Sequence, residues 1–466
     1  MKLTKIFLVC ALFSLTGCSL ISNDKETSQS SANTSNPSVT TSSTGGHVHT
    51  FSNEWSYNSQ QHWRAATCEH TDLKNSLEGH KFGEWKYSLA PTETEEGTKY
   101  RVCSVCGYIE HAVAHPTGTV SKLKFTLSND GKYYSVEALN KDISGAIVIP
   151  DYYEDLPVKK VVTGGFSHCT EVTSIYIGDN ITSFGDYNFG NMTKLLTARI
   201  GNGITSSLSF IDHRNDYPFV GGSFHNCPSL ASFEVDSKNT GLSVINGALY
   251  TKDQKRLILV PAATNLTFTV PSTVNIIGPA AFAYTNISNV TIPTSVTEVG
   301  NYGFAYCTKL EAVTLPHSVT KIGSCAFEGC EKITEFVMPD SVTQYGNQVF
   351  NCCGSLTSLT LSNQVDTLTP ALMQGTKIET FEVPLFIKHI KGCPFSENTM
   401  TIIIHAGIET IAHDAFNLIH PTNIQFLGTR DQWKALFHWE GYNHDADDVV
   451  HCSDGDVTFQ ETVVVS

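Results

Sequence analysis

The strongest constraint on the fold is a repeat. Segments beginning at Val274, Val296, Val319, Val342, Val365, Ile387 and Ile408 start at intervals of 22, 23, 23, 23, 22 and 21 residues, and two of them read VTEVGNYGFAYCTKLEAVTLPHS and VTKIGSCAFEGCEKITEFVMPDS. Earlier units are marked by Phe166, Phe189 and Phe224, and Phe282 is the plug of the unit at Val274, which makes ten in all. A unit this short cannot enclose its own apolar side chains, so neighbours must stack and share a continuous core. That requirement excludes a single globule over most of the chain.

Within a unit, Leu310, Val313 and Leu315 have the spacing of a short strand preceded by a turn, with the last two on one face. Pro293, Pro316, Pro339 and Pro384 follow these strands and end them, because proline has no N–H to donate to a ladder. Ala-Phe pairs such as Ala326-Phe327 are expected to turn the chain on the opposite side and plug each coil with an aromatic ring. Together these features resemble the BspA-type leucine-rich repeat family, over about residues 120 to 457. The resemblance implies a repeat solenoid, mainly β with short turns, with a cap at residues 117–164, repeats over 165–425 and a closing cap at 426–466. Leu123-Lys-Phe125, Ile147-Val-Ile149 and Leu156-Pro-Val158 are similar to the family's opening strands, and Phe426 to Trp433 to its closing helix. Interruptions fall near 201–222 and 236–270; the second, Val244 to Tyr250 and Leu257 to Pro261, resembles a hairpin insertion. Met373 and Pro394 depart from the pattern, standing where the plug phenylalanine and its preceding alanine are expected.

The unit's cysteines Cys169, Cys227, Cys307, Cys330 and Cys353 lie three residues after the plug phenylalanine and are expected to pack as buried thiols. A rung-to-rung disulfide is the alternative, since adjacent strands lie within bridging distance. Cys325, Cys352, Cys393 and Cys452 fall off that column and have no assignment.

The N-terminus sets the compartment. Lys2 and Lys5 precede an apolar run from Ile6 to Leu15, about half of what a membrane-spanning helix needs, and the run ends in Leu15-Thr16-Gly17-Cys18. This resembles the lipobox of bacterial lipoproteins, which implies a signal peptide over residues 1–17, lipidation of Cys18 and an extracytoplasmic protein anchored to the membrane by lipid. Residues 19–46 hold fourteen Ser or Thr among twenty-eight and no aromatic, so residues 18–46 read as a lipidated cysteine followed by a flexible tether.

Residues 47–116 change character: seven histidines, three cysteines and three of the five tryptophans cluster there. Cys103-Ser-Val-Cys106-Gly107 is a turn that points two thiolates at one tetrahedral centre, and Cys68-Glu-His70 can complete it, so a structural zinc on Cys68, His70, Cys103 and Cys106 is expected. His49, His62 and His80 are further candidates in a pool that also includes His47, His111 and His115. His49-Thr-Phe51 with Trp55 is echoed by His80-Lys-Phe82 with Trp85, 31 residues later. The pattern resembles short His/Trp/Cys-x-x-Cys-Gly segments on surface proteins of low-GC bacteria. A disulfide with histidines packed around tryptophan remains the alternative to metal.

A net charge of −15 with only 16% charged residues argues against a nucleic-acid partner, which needs a basic patch. No G-x-S-x-G, H-E-x-x-H or Walker loop is present, so no enzyme is expected. The outward strand positions, Asn289, Thr291, Thr314, Glu335, Ser358, Thr360, Thr380 and Glu382, form a flat polar face. The reading is a lipid-anchored bacterial surface protein whose repeats bind an extracellular protein or glycan and mediate adhesion, the binding role being what the family resemblance implies. The alternative is a zinc-capturing or zinc-sensing lipoprotein with the repeats as a stalk.

Overall fold

A computed structural model describes residues 42–44, 47–93, 95–114, 117–184, 187–206, 223–417, 423–436 and 449–459. The signal peptide, Cys18 and most of the tether lie outside these residues, as does most of the 201–222 insertion. Among the described residues no helix is long and apolar enough to cross a membrane. The chain divides into two compact units: residues 1–90 with 97–114, and residues 91–96 with 115–466.

The first unit is a pair of three-stranded antiparallel meanders with a short leading hairpin. The hairpin pairs β1 (Ser42–Thr44) with β2 (His47–His49). The first meander is β3 (Ser56–Tyr57), β4 (Gln61–Ala65) and β5 (Lys74–Gly79); the second is β6 (Lys86–Leu89), β7 (Gly97–Val102) and β8 (Ile109–Ala114). The two are built alike. Phe51 bridges Ala66 and Phe82 bridges Cys103, while Thr67 N–H donates to the Thr50 carbonyl at 2.7 Å and Ser104 N–H to the Lys81 carbonyl at 2.9 Å. Little apolar surface is buried: Trp63 and Ala114 are the buried hydrocarbon side chains, whereas Val48, Leu77, Tyr87, Leu89 and Ile109 are exposed. The tryptophans are covered by cations, with Arg64 4.4 Å from the ring centre of Trp55 and Lys74 3.8 Å from that of Trp63.

The second unit is a β-solenoid whose coils contribute short strands to two parallel ladders, the coil at Leu310 adding only an isolated bridge at Ala312 to one of them. One ladder pairs Thr267–Thr269 with Asn289–Thr291, Glu335–Val337 with Ser358–Thr360, and Thr380–Glu382 with Thr401–Ile404 and Asn423–Phe426. The other runs through Arg256–Leu259, Ile276–Ile277, Glu298–Val299, Lys321–Ile322 and Gln344–Tyr345. Backbone pairing continues around the plug turn, where Phe282, Phe304, Phe327 and Phe350 each donate to a carbonyl of the following coil at 2.8 to 3.0 Å. Their rings stack at centroid distances of 4.6, 5.3 and 5.8 Å. Met373 continues the column fully buried, and Phe395 resumes it. A flexible, unbranched thioether can fill an aromatic slot, which accounts for the departure seen in the sequence.

The column cysteines are buried free thiols. Cys227, Cys307, Cys330 and Cys353 donate to the carbonyls of Phe189, Phe282, Phe304 and Phe327 at 3.0 to 3.1 Å, stitching each coil to the one before. Ser295, Ser318, Ser341 and Ser362 form a second stitch, donating to Val274, Val296, Val319 and Val342 at 2.6 to 2.7 Å. Cys325, Cys352 and Cys393 stand at corners with φ of 56°, 58° and 42°, a left-handed conformation that the flanking ladders impose. The corner of Cys352, two residues after the plug phenylalanine, is held one coil earlier by Gly329, where a Cβ would come within 2.6 Å of the Tyr306 ring.

The hairpin insertion is Leu242–Ile245 with Ala248–Thr251, turning at Asn246-Gly247, both at positive φ. Its second strand serves two cores: Ala248 and Tyr250 face the repeats that follow, and Leu249 faces those that precede. The closing helix Arg430–Ala435 starts with a capping box between Thr429 and Gln432 and inserts Trp433, wholly buried, over the last coils.

Candidate metal centres and the strand face

The first unit brings its ligand-type side chains together in two groups of four. His47, His49, Cys68 and His70 form one; His62, His80, Cys103 and Cys106 form the other, and within each group the candidate donor atoms lie within 4.8 Å of one another. The foursome expected from the sequence is therefore not assembled. Cys68 and His70 occupy the turn between β4 and β5, Cys103 and Cys106 the corresponding turn between β7 and β8, and each turn closes on the histidines beside it. His49, His62 and His80, the further candidates, all join a group. His47 completes the first, while His111 lies exposed on β8 outside both. His115 falls outside the described residues.

The donor geometry matches a tetrahedral ion. A sulfur about 2.3 Å and a nitrogen about 2.0 Å from one centre are about 3.5 Å apart across a tetrahedral edge. Cys68 Sγ lies 3.5 Å from His49 Nδ1, Cys103 Sγ 3.8 Å from His62 Nδ1 and Cys106 Sγ 3.3 Å from His80 Nδ1. The three imidazoles of the first group stand at equal centroid separations of 4.9 Å, a triangle capped by the Cys68 thiol. His47 Nε2 is buried with no hydrogen-bond partner, and a metal bond to that nitrogen supplies the interaction it lacks. His80 is held in a ligand's orientation: its Nε2 meets the Asn58 carbonyl at 2.8 Å while Nδ1 faces Cys106. Thiolate and imidazole together select zinc-class ions over magnesium or calcium.

The electrostatics point the same way. Hydrogen bonds from His49 and His47 draw the Cys68 thiol down to about 5. Burial opposes ionisation of Cys103, but the backbone N–H groups of the turn and His80 prevail and bring it down to about 6. Burial and the neighbouring Cys103 push Cys106 up to about 11, so the pair releases one proton readily and resists losing both until a cation replaces them. Burial and His80 lower the pKa of His62, keeping it neutral and able to donate a lone pair.

On the solenoid, Asn289, Thr291, Glu335, Ser358, Thr360, Thr380 and Glu382 are exposed on strands, with Glu335 beside Ser358 and Thr380 beside Thr401; Thr314 is exposed but outside any strand, its coil pairing only through an isolated bridge at Ala312. The face is interrupted by Val337, 65% exposed in the same register as Thr360.

The two ladders, the aromatic plug and the stitching side chains define a leucine-rich repeat solenoid. Residues 157–250 and 275–401 match the BspA type leucine rich repeat region in six copies, so the repeats of the solenoid are of that type. No curated protein matches it. Among solved structures, it is similar to a leucine rich cell surface protein from Faecalibacterium prausnitzii A2-165, at 21% identity over 70% of this chain and 99% of that one with a TM-score of 0.35. The pneumococcal vaccine antigen PcpA aligns at 16% identity over 75% and 95%, TM-score 0.41. A leucine-rich repeat protein from Bacteroides ovatus ATCC 8483 aligns at 18% over 66% and 69%, TM-score 0.38.

Proposed function

We propose that the protein is a non-catalytic binding protein of the bacterial surface, tethered by lipid at Cys18, whose solenoid engages an extracellular protein or glycan and whose first unit is held by zinc. The observation that carries the binding role is the strand face: exposed small polar side chains in register between paired strands, with the inward apolar side chains buried or half-buried beneath. Such a face lacks the aromatic and arginine anchors of tight protein interfaces, so it gains affinity by repetition along an extended polar partner. The leader ending in Leu15-Thr16-Gly17-Cys18 supports the surface placement.

The test is an array of glycans and extracellular matrix proteins probed with the purified full chain and with a variant carrying Thr291→Arg, Thr314→Arg and Thr360→Arg. A ligand bound by the first and lost by the second, at equal melting temperature, is expected. Retention of all binding by the triple variant, or adhesion of cells unchanged after deletion of the gene, rejects the reading. Labelling with a radioactive fatty acid that persists in Cys18→Ser rejects the lipid anchor.

A further inference from the structure

The two ligand groups are not copies of one site. We propose that the first unit binds two zinc-class ions of unequal kind: an inner ion, on His62, His80, Cys103 and Cys106, that joins the two meanders, and an outer ion, on His47, His49, Cys68 and His70, that exchanges with solution. The proposal rests on the reading of this unit as metal-held and adds the number, division and lability of the ions.

The internal duplication shows how the difference arises. In register with His49 and His80, the residues two positions earlier are His47 and Glu78. The second copy therefore has a carboxylate where the first has one of its three imidazoles. Glu78 does not join the inner group; its cross-strand neighbour in the β4–β5 pairing, His62, does. The inner centre thus takes a ligand from a strand of the first meander and two from a turn of the second, with His80 at their junction. The outer centre takes its ligands from the first copy and its leading strand alone, so an ion there crosslinks nothing beyond that copy. In turn, Ala66 stands where the second copy has Cys103, the residue that pairs with the phenylalanine in each bridge. This is why the outer set has one thiolate and the inner set two.

Burial and support separate them further. His62 and Cys103 are buried and no inner ligand is exposed, whereas His70 of the outer set is exposed and only His49 is buried. Inner His80 is fixed on both sides, by the Asn58 carbonyl and by Tyr108 stacked at 4.6 Å and 17°. Among the described residues no outer imidazole has a carbonyl orienting its second nitrogen. An ion with one thiolate, unsupported imidazoles and an exposed edge can leave by stepwise ligand replacement; one enclosed between two meanders leaves only when they part.

The test uses the purified full chain loaded with zinc, freed of excess ion, and analysed by mass spectrometry for metal per chain. Two equivalents are expected. A competing chromogenic chelator should remove the first rapidly with the near-ultraviolet tryptophan signal unchanged, and the second slowly as that signal is lost. His70→Ala should lower the stoichiometry from two to one and abolish the fast phase while leaving the signal intact. Because Cys106→Ser is expected to unfold the unit, cobalt(II) provides the complementary reading: the thiolate-to-cobalt band should arise from three sulfurs in the parent and two in Cys68→Ala. One equivalent in the parent chain, simultaneous release of both ions, or two equivalents retained in His70→Ala overturns the proposal while leaving a metal-held unit standing. No bound metal overturns both.

Discussion

In the repeats, every coil passes its apolar side chains to a neighbour, so that Phe282, Phe304, Phe327 and Phe350 lie in one stack with no exposed surface. The first unit has two copies of its own motif and no such continuity: Trp63 is buried, but Leu77, Leu89 and Ile109 are not. Duplication alone therefore does not make a core; a short motif must be repeated until neighbours cover both of its faces, or be held by something other than packing. Cysteine marks the two solutions. In the solenoid it is a buried donor to a backbone carbonyl, and in the first unit it faces imidazoles at ligand spacing.

The comparison breaks most visibly under chelation. Structural zinc contributes on the order of 10 kcal/mol to small zinc-held domains, more than the roughly 3–5 kcal/mol a core of that size supplies. Full metal removal should abolish the near-ultraviolet signal from Trp55, Trp63 and Trp85 and expose residues 47–114 to protease. The solenoid should keep its melting transition and hydrogen-exchange protection. Loss of both together would mean that packing and metal are not separate supports.

The reciprocal perturbation is Phe327→Ala. Its ring touches the column above and below and Phe336 at 5.0 Å, so truncation should cost about 3–5 kcal/mol. The effect should appear as earlier unfolding of the solenoid by circular dichroism, with metal stoichiometry unaltered. A shift below about 1 kcal/mol would show that the column tolerates a void, and that the ladders rather than the plug hold the coils.

These outcomes bear on how much could be read from the chain. The solenoid was legible because periodicity is redundant: the prolines after the strands, the plug and the column cysteine each recur, so a substitution such as Met373 does not hide the pattern. The corner cysteines were not legible, since nothing about Cys325, Cys352 or Cys393 signals a left-handed φ that only the neighbouring coils enforce. In the first unit the ligand residues were identifiable by type, but their partition was not. Cys103-x-x-Cys106 attracts the other Cys-containing turn as its complement, and no spacing rule shows that the two turns occupy equivalent places in separate meanders. The echo of His49 by His80 was the available signal, because equivalent residues in a duplication belong to different sites.

Acid should separate the two regions, whereas in base Cys106 of the first unit, pushed up to about 11, responds with the same sign as the solenoid thiols. Cys68 and Cys103 ionise at about 5 and about 6, below the ordinary thiol value of 9, so their stabilisation is complete above pH 9 and is lost as pH falls through 6 and 5. The lowered pKa of His62 adds to the same loss below its ordinary 6.5. In the solenoid, burial pushes Cys307 and Cys353 up to about 12 and raises Cys330 as well; these groups hold their protons when folded, and their contribution declines as pH rises from 9 toward 12. Tryptophan fluorescence with metal release should report the first unit failing in acid, and thiol alkylation of the column cysteines should report the solenoid opening in base. A single transition in acid would contradict the contrast.

The smallest expected effect lies on the strand face, and it sharpens the comparison by locating function away from both supports. Thr360→Ala removes an exposed side chain in register with Val337, with no buried contact, and should change stability by no more than about 0.5 kcal/mol. If binding is shared along the ladder, it should also weaken affinity only slightly alone, and more than additively when combined with Thr291→Ala and Thr314→Ala on a multivalent ligand, because each lost contact lowers the effective concentration for the next. Surface titration of single and triple variants against one immobilised polymer measures this. A large loss from any single substitution would instead locate a discrete pocket, and the strand face would cease to be the site.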